Sequence, residues 1–246
     1  QRTSMATAES PPPSAAPAAV VHTELVLIRH GESTWNRSMR LTGWADVPLT
    51  ERGRQQATRS GAALRARGLG CDLCLSSRLR RATETRDLLL AAHGGSPDVR
   101  ASWRLNERHY GALQGLYPWQ AAWRHGLGSL LRCRRDLAAR PPRAAPAASE
   151  APSHLRGAER AAWLRAAAGE SLADALTRFL PLWDATIAPA LVEGNRVWIV
   201  AHNNILRALI AHLDDADLPA ARLRTAQPWV LELDRQLRPI RRLALP

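Results

Sequence analysis

The sequence contains no lysine: its 34 basic side chains are all arginines, set against 22 acids, for a formal net charge of +12. Such an excess suits a protein that meets anions, whether phosphorylated metabolites, nucleic acid or a membrane surface. The arginines are scattered, and no basic stripe interleaved with aromatics runs among them, which argues against a nucleic-acid surface. Arginine and alanine enrichment also arises from genomic base composition alone. Cysteine is scarce as well, and Cys71, Cys74 and Cys133 make no disulfide framework. Cys71 and Cys74 form a C-x-x-C, but no second pair completes a zinc site, and their apolar surroundings read as core. Free thiols fit a reducing compartment. No apolar run is long enough for a membrane-spanning helix, and there is no internal repeat. Residues 1–22, rich in Ala, Pro and Ser, lack the basic start and long apolar stretch of a secretory signal and read as a disordered tail. The first residue is not Met, which leaves a fragment, a processed product or an organelle-targeting remnant open beside the expected cytoplasmic location.

What is present is an alternation of strands and helices. Glu24–Ile28 is a short apolar strand running into Arg29-His30-Gly31. Thr50 caps a helix reaching about Arg67. Cys71–Leu75 reads as a strand, Arg78 to about Ala92 as a helix, Asn106–Gly115 as a loop, and Tyr117–Arg135 as helical beyond Pro118. Residues 138–168 read as an irregular surface excursion with one helix near Ala158–Ala167. Leu172–Leu191 is an amphipathic helix that Pro181 and Pro189 kink or shorten. Arg196–Ala201 is a buried strand, followed by His202 and a helix to Leu213. Trp229–Asp234 and Pro239–Leu243 are late strands. This order indicates a layered α/β fold, in a chain long enough to need no disulfide or metal staple.

Two histidines, His30 and His202, follow directly on strands, and open α/β sheets bind ligands at the carboxyl ends of their strands. A neutral imidazole is a good nucleophile toward phosphorus, and its phosphoryl adduct is labile enough to pass the group on. Arg29 can grip phosphate oxygens, and Gly31 lets the backbone approach a phosphoryl group closely. The four residues alone leave a structural histidine beside a structural glycine equally open.

The stretch LVLIRHGESTWNRSMRLTGWADVPLTERGRQQA, Leu25 to Ala57, resembles the 2,3-bisphosphoglycerate-dependent phosphoglycerate mutases, a branch of the histidine phosphatase superfamily. The resemblance continues in Ser102–Gly115 (SWRLNERHYGALQG), in Gly169-Glu170-Ser171-Leu172, in Ala201-His202 and in Leu206-Arg207-Ala208-Leu209. It implies a three-layer α/β sandwich with a mostly parallel central sheet flanked by helices, as a single catalytic domain over residues 23–246. It implies His30 as the phosphorylated nucleophile. Arg29, Arg81 and a protonated His202 form the phosphoryl cage, with hydrogen bonds from Ser33 and Asn36, and Glu107 is the general acid/base. Thr42, Gly43, Arg108, Tyr110, Arg134, Arg135, Asn203 and Asn204 fall at substrate-binding positions. The reaction implied interconverts 3-phosphoglycerate and 2-phosphoglycerate, primed by 2,3-bisphosphoglycerate and without a metal. The partners implied are phosphoglycerates and a second or further copy of the chain in a homodimer or homotetramer, with no nucleic acid or membrane.

The chain departs from that pattern at four places. Pro118 stands where the family carries a substrate-holding lysine; one charge-assisted contact is worth roughly 1.5–3 kcal/mol. Asn203 replaces a glycine whose positive φ an asparagine tolerates better than most residues. Residues 138–168 replace a more polar segment, and Arg224-Thr225-Ala226 replaces Pro-Thr-Gly. These changes leave two alternatives beside the mutase: a phosphatase-leaning relative, and a catalytically weakened binder of phosphorylated metabolites.

Overall fold

The computed structural model describes residues 23–144, 153, 155–215 and 223–246; the expected tail lies outside them. Six strands form one mixed sheet: β1 (Thr23–Arg29), β2 (Leu73–Ser76), β3 (Asp98–Ala101), β4 (Val197–Ala201), β5 (Pro228–Leu233) and β6 (Pro239–Ala244). Their order is β3-β2-β4-β1-β5-β6. The first four run parallel, while β5 is antiparallel to β1 and β6. The helices are α1 (Thr34–Arg37), α2 (Glu51–Ala66), α3 (Arg80–His93), α4 (Pro118–His125), α5 (Leu127–Arg135), α6 (Gly157–Ala167), α7 (Leu172–Leu182), α8 (Ala188–Val192) and α9 (Asn203–Asp214).

Alternate strand residues point to opposite faces, and each face meets helices. Leu25, Leu27, Val197 and Ile199 pack with Phe179 of α7 and Leu206 and Leu209 of α9. Val26, Ile28, Trp198 and Val200 pack with Leu64 of α2 and Leu89 of α3. This is the expected three-layer sandwich. Strands β2 and β4 are buried at every residue, as parallel strands covered on both sides must be. The edge strand β3 is exposed throughout. Its sequence, Asp-Val-Arg-Ala, alternates charged and apolar residues over only four positions, too short a run to announce a strand. Among the described residues no helix is long and apolar enough to cross a membrane.

Thr50 caps α2 as expected, its hydroxyl accepting the Gly53 N–H at 3.0 Å. Gly53, Ala57, Ser60, Gly61 and Leu64 form the buried stripe. The helix expected over Leu172–Leu191 is interrupted: α7 passes into a π-turn over Trp183–Ile187 before α8. That turn lies between Pro181 and Pro189, where the missing amides relax the ordinary hydrogen-bond ladder.

Two backbone positions show opposite constraints. A Cβ on Gly53 would sit 2.1 Å from the Glu32 carbonyl oxygen, and one on Gly31 would sit 2.4 Å from the Gly53 carbonyl oxygen. The start of α2 therefore packs on Gly31 and requires it to be small, a steric reason that stands beside the expected phosphoryl approach. Ala226, in contrast, occupies φ +52°, a left-handed conformation that costs a non-glycine residue about 1–2 kcal/mol. Its amide donates to the Arg29 carbonyl at 2.8 Å, which holds the chain in that conformation beside the end of β1. Ala226→Gly is expected to raise stability by about 1 kcal/mol, relieved strain outweighing added unfolded-state entropy. Gly53→Ala is expected to lower it by about 1–3 kcal/mol. Urea denaturation of both variants checks the pair; equal midpoints would contradict the steric argument.

Candidate active site

Arg29 of β1 lies opposite Ala201 of β4, so His30 and His202 leave the sheet side by side. The His30 amide donates to the Ala201 carbonyl at 3.0 Å, and the two rings, both buried, are 5.0 Å apart between centroids. His30 Nδ1 lies 2.7 Å from the Gly31 carbonyl oxygen. A carbonyl only accepts, so Nδ1 carries the proton and Nε2 the lone pair. Arg81 Nε donates to that lone pair at 3.2 Å.

Arg81 is buried at the start of α3. Its Nη2 and Nη1 donate to the carbonyls of Gly43 and Ala45 at 2.8 and 2.9 Å. Burial pulls its pKa down to about 10, opposed by the carboxylates of Glu107 and Asp46, so it remains cationic at neutral pH. Arg29 Nη1 donates to the Leu223 carbonyl at 2.9 Å. His202 Nε2 lies 2.6 Å from Ser77 Oγ, and its Nδ1 is buried without a hydrogen-bond partner among the described residues. Burial, then Arg81 and Arg29, hold His30 well below the ordinary imidazole range. Burial, Arg81 and His30 do the same to His202. Beside two guanidiniums, burial therefore disfavours the imidazolium form of His202; the expected protonated His202 belongs to the state with a phosphoryl group bound.

Glu107 is held from several sides. Its Oε1 accepts the Arg108 amide at 2.8 Å and its Oε2 the Asn204 amide at 3.3 Å. Its own carbonyl accepts from Trp44 Nε1 and Arg178 Nη2. Asn204 Nδ2 donates to Tyr110 Oη at 3.0 Å. Arg108 is buried under the Tyr110 ring, 4.8 Å from its centroid. Its Nη1 donates to the Cys133 carbonyl on α5, and its Nε has no hydrogen-bond partner among the described residues. Glu107, Arg108, Tyr110 and Asn204 thus form one cluster, and the field of Glu107 at Arg81 ties it to His30.

The remaining expected residues are placed as follows. Ser33 and Asn36 bond each other as the capping box of α1: Ser33 Oγ accepts the Asn36 amide and Asn36 Oδ1 accepts the Ser33 amide. This leaves the Asn36 Nδ2 donors available. Gly43 has φ +52°, and Thr42 Oγ1 donates to the Arg40 carbonyl at 3.3 Å. Asn203 opens α9, and no positive φ is required there, which corrects the reason given for its replacing glycine. Its Oδ1 is buried without a partner among the described residues. Arg134 and Arg135 close α5, and their side chains lie outside the described part of the structure. Cys71 and Cys74 are free thiols packed in the second core cluster. Among the described residues no group of three His, Cys, Asp or Glu is placed to hold a metal.

Sequence reasoning missed Arg178. It forms a buried ion pair with Glu170 at 2.7 Å. It also donates to the carbonyls of Trp103, Arg104, Asn106 and Glu107, while Glu170 Oε2 accepts the His109 amide at 3.0 Å. The signal was available: Arg178 sits among Leu172, Ala175 and Phe179 on the buried stripe of α7, where a charge needs a partner. Ser77 and Trp44 carried no such signal.

Residues 25–243 match the sequence pattern of the histidine phosphatase superfamily (branch 1). A mycobacterial glucosyl-3-phosphoglycerate phosphatase, solved with VO3, is 29% identical, with 85% of this chain and 92% of that one covered and a TM-score of 0.65. Bacillus stearothermophilus YhfR is 27% identical, over 86% of this chain and 92% of that one, at a TM-score of 0.66. The α-ribazole phosphatase of Shigella flexneri shares the fold at a TM-score of 0.67, with 23% identity over 90% of this chain and 96% of that one.

Two outcomes follow from this geometry. Glu170→Gln leaves Arg178 buried against a neutral partner and is expected to cost about 3–5 kcal/mol in denaturant unfolding; a loss under about 1 kcal/mol would contradict the pair's structural role. His30, His202 and His109, the last lowered by burial to about 4, bind protons more readily unfolded than folded. Stability should therefore fall as pH drops below the unfolded value of about 6.5, by up to about 1.4 kcal/mol per pH unit for each histidine. Urea midpoints between pH 7 and 5 test this, and a flat profile would refute it.

Proposed function

The chain belongs to branch 1 of the histidine phosphatase superfamily, and on that premise we propose that it is a phosphomonoester phosphatase working through a phosphohistidine at His30. The observation that carries this reading is the state of His30: buried, neutral, with Nδ1–H tied to Gly31 and the Nε2 lone pair facing Arg81. Nε2 attacks phosphorus as the ester P–O bond breaks, and Glu107, as general acid, passes a proton to the departing alkoxide. The ring gains positive charge, which the Gly31 carbonyl stabilises. Arg81 and Arg29 face the phosphoryl oxygens. The phosphoryl dianion also favours protonation of His202, which then adds a donor. In the second half, Glu107 takes a proton from water, which attacks phosphorus; the P–N bond breaks and phosphate leaves.

Two further observations favour hydrolysis over isomerisation. The similar mycobacterial enzyme is a glucosyl-3-phosphoglycerate phosphatase. Pro118, with no amide or cation to offer, starts α4 where the mutase pattern has its lysine. The buried Arg108, with its spare Nε beside Tyr110 and Asn204, suits the acidic, non-reacting end of a small phosphorylated carboxylate. The mutase reading, with 2,3-bisphosphoglycerate as primer, is the less supported one.

The test compares phosphate release from glucosyl-3-phosphoglycerate and 3-phosphoglycerate with isomerisation of 3-phosphoglycerate, each with and without 2,3-bisphosphoglycerate. Release faster than isomerisation and independent of the primer is expected; the reverse would return the mutase. His30→Ala should remove both activities, and retained turnover would exclude His30 as nucleophile. Glu107→Gln should lower kcat by about 10²–10⁴-fold on alkyl phosphates, and far less on p-nitrophenyl phosphate, whose leaving group needs no proton. Equal losses on both would remove Glu107 from the acid role.

A further inference from the structure

A cavity of about 540 Å³ opens between α6, α7 and the segment that follows α5. None of the residues assigned to phosphoryl transfer lines it. Its walls are apolar, with Pro141, Ala162, Ala166, Ala168 and Pro181 among them, and five arginines also line it. Two of the five are neutralised. Arg178 is paired with Glu170 in the interior, and Arg140 makes two bonds of 2.7 Å to Asp174. The other three, Arg104, Arg143 and Arg165, have no carboxylate within ion-pair distance among the described residues. Among the described residues the lining holds no further acid, so those residues carry three uncompensated positive charges there.

The walls are anchored. The Ala144 amide donates to the Ala168 carbonyl at 2.9 Å, the Ala112 amide to the Pro142 carbonyl at 2.8 Å, and the Ala173 amide to the Leu137 carbonyl at 2.9 Å. Arg104 is held by its bond to the Arg178 carbonyl and by stacking on Trp103. Arg143 and Arg165 are exposed. A concave apolar space with a few convergent polar groups is the usual form of a small-molecule site, and guanidiniums select carboxylate, sulfonate or phosphate heads.

We infer that this cavity is a second binding site, for an organic anion whose acidic head meets Arg143 and Arg165 and whose apolar body lies against the Pro and Ala walls. The inference does not depend on the phosphatase reading, and its test needs no turnover. Anilinonaphthalene sulfonate, an acidic head on an aromatic body, is titrated into the full chain and followed by fluorescence, with octyl sulfonate as competitor. Saturable binding that octyl sulfonate displaces and saturating orthovanadate leaves in place is expected. The double variant Arg143→Ala/Arg165→Ala, both at exposed positions, should weaken it by at least about tenfold. Thr177→Trp, at an exposed lining position, should weaken it comparably by filling the space. Displacement by vanadate, or an affinity unaltered in either variant, would overturn the proposal, as would the lack of saturable binding.

Discussion

The buried ion pair between Arg178 and Glu170 is the interaction on which the site depends. Residues 103–109, a single 3-10 turn over Trp103–Leu105 followed by a loop, have few ladder partners of their own, yet they run through the interior. Their carbonyls need donors, and Arg178 supplies them to Trp103, Arg104, Asn106 and Glu107 while Glu170 takes the His109 amide. Burying two charges is costly, and an apolar pair of similar volume often does as well for stability. What an apolar pair cannot do is satisfy five backbone groups at once. Trp44 completes the arrangement. It packs edge-on to Trp103 and His109, lies 5.6 Å from the Arg178 guanidinium, and donates to the Glu107 carbonyl. Glu107 is therefore positioned from behind, by residues that belong to the core.

The second constraint is the register of β1 against β4. It sets the two histidines side by side, and burial beside arginine then keeps them neutral. That electrostatic state opposes the folded form in acid, and it is also what a nucleophile requires, since a protonated His30 would have no lone pair to offer. Arg81 resolves the tension by donating to the lone pair it protects while two loop carbonyls hold the rest of its guanidinium.

Legibility in the sequence followed burial. Strands β1, β2 and β4 read as apolar runs because helices cover both faces of the sheet, and the Thr50 cap announced α2. β3 was not legible because its polar-apolar alternation lasts only four residues and no buried face reinforces it. His30, His202 and Glu107 were legible from strand ends and from family resemblance. Arg178 was legible only as a charge out of place on an apolar stripe. The contact of Gly31 with Gly53 and the helical start at Asn203 were not legible, since both are facts of packing.

The sequence by itself determined the α/β class, the histidine pair, the acid at Glu107 and the arginine-only positive charge, because residue identity and local periodicity are written along the chain. It also carried the departures, Pro118 and Ala226 among them. Only the tertiary structure decided the protonation of His30 and His202, the support beneath Glu107 and the cavity beside α7. These depend on burial, on distance and on which groups from remote segments come to share a low-dielectric interior, and none of the three is a property of neighbours in sequence.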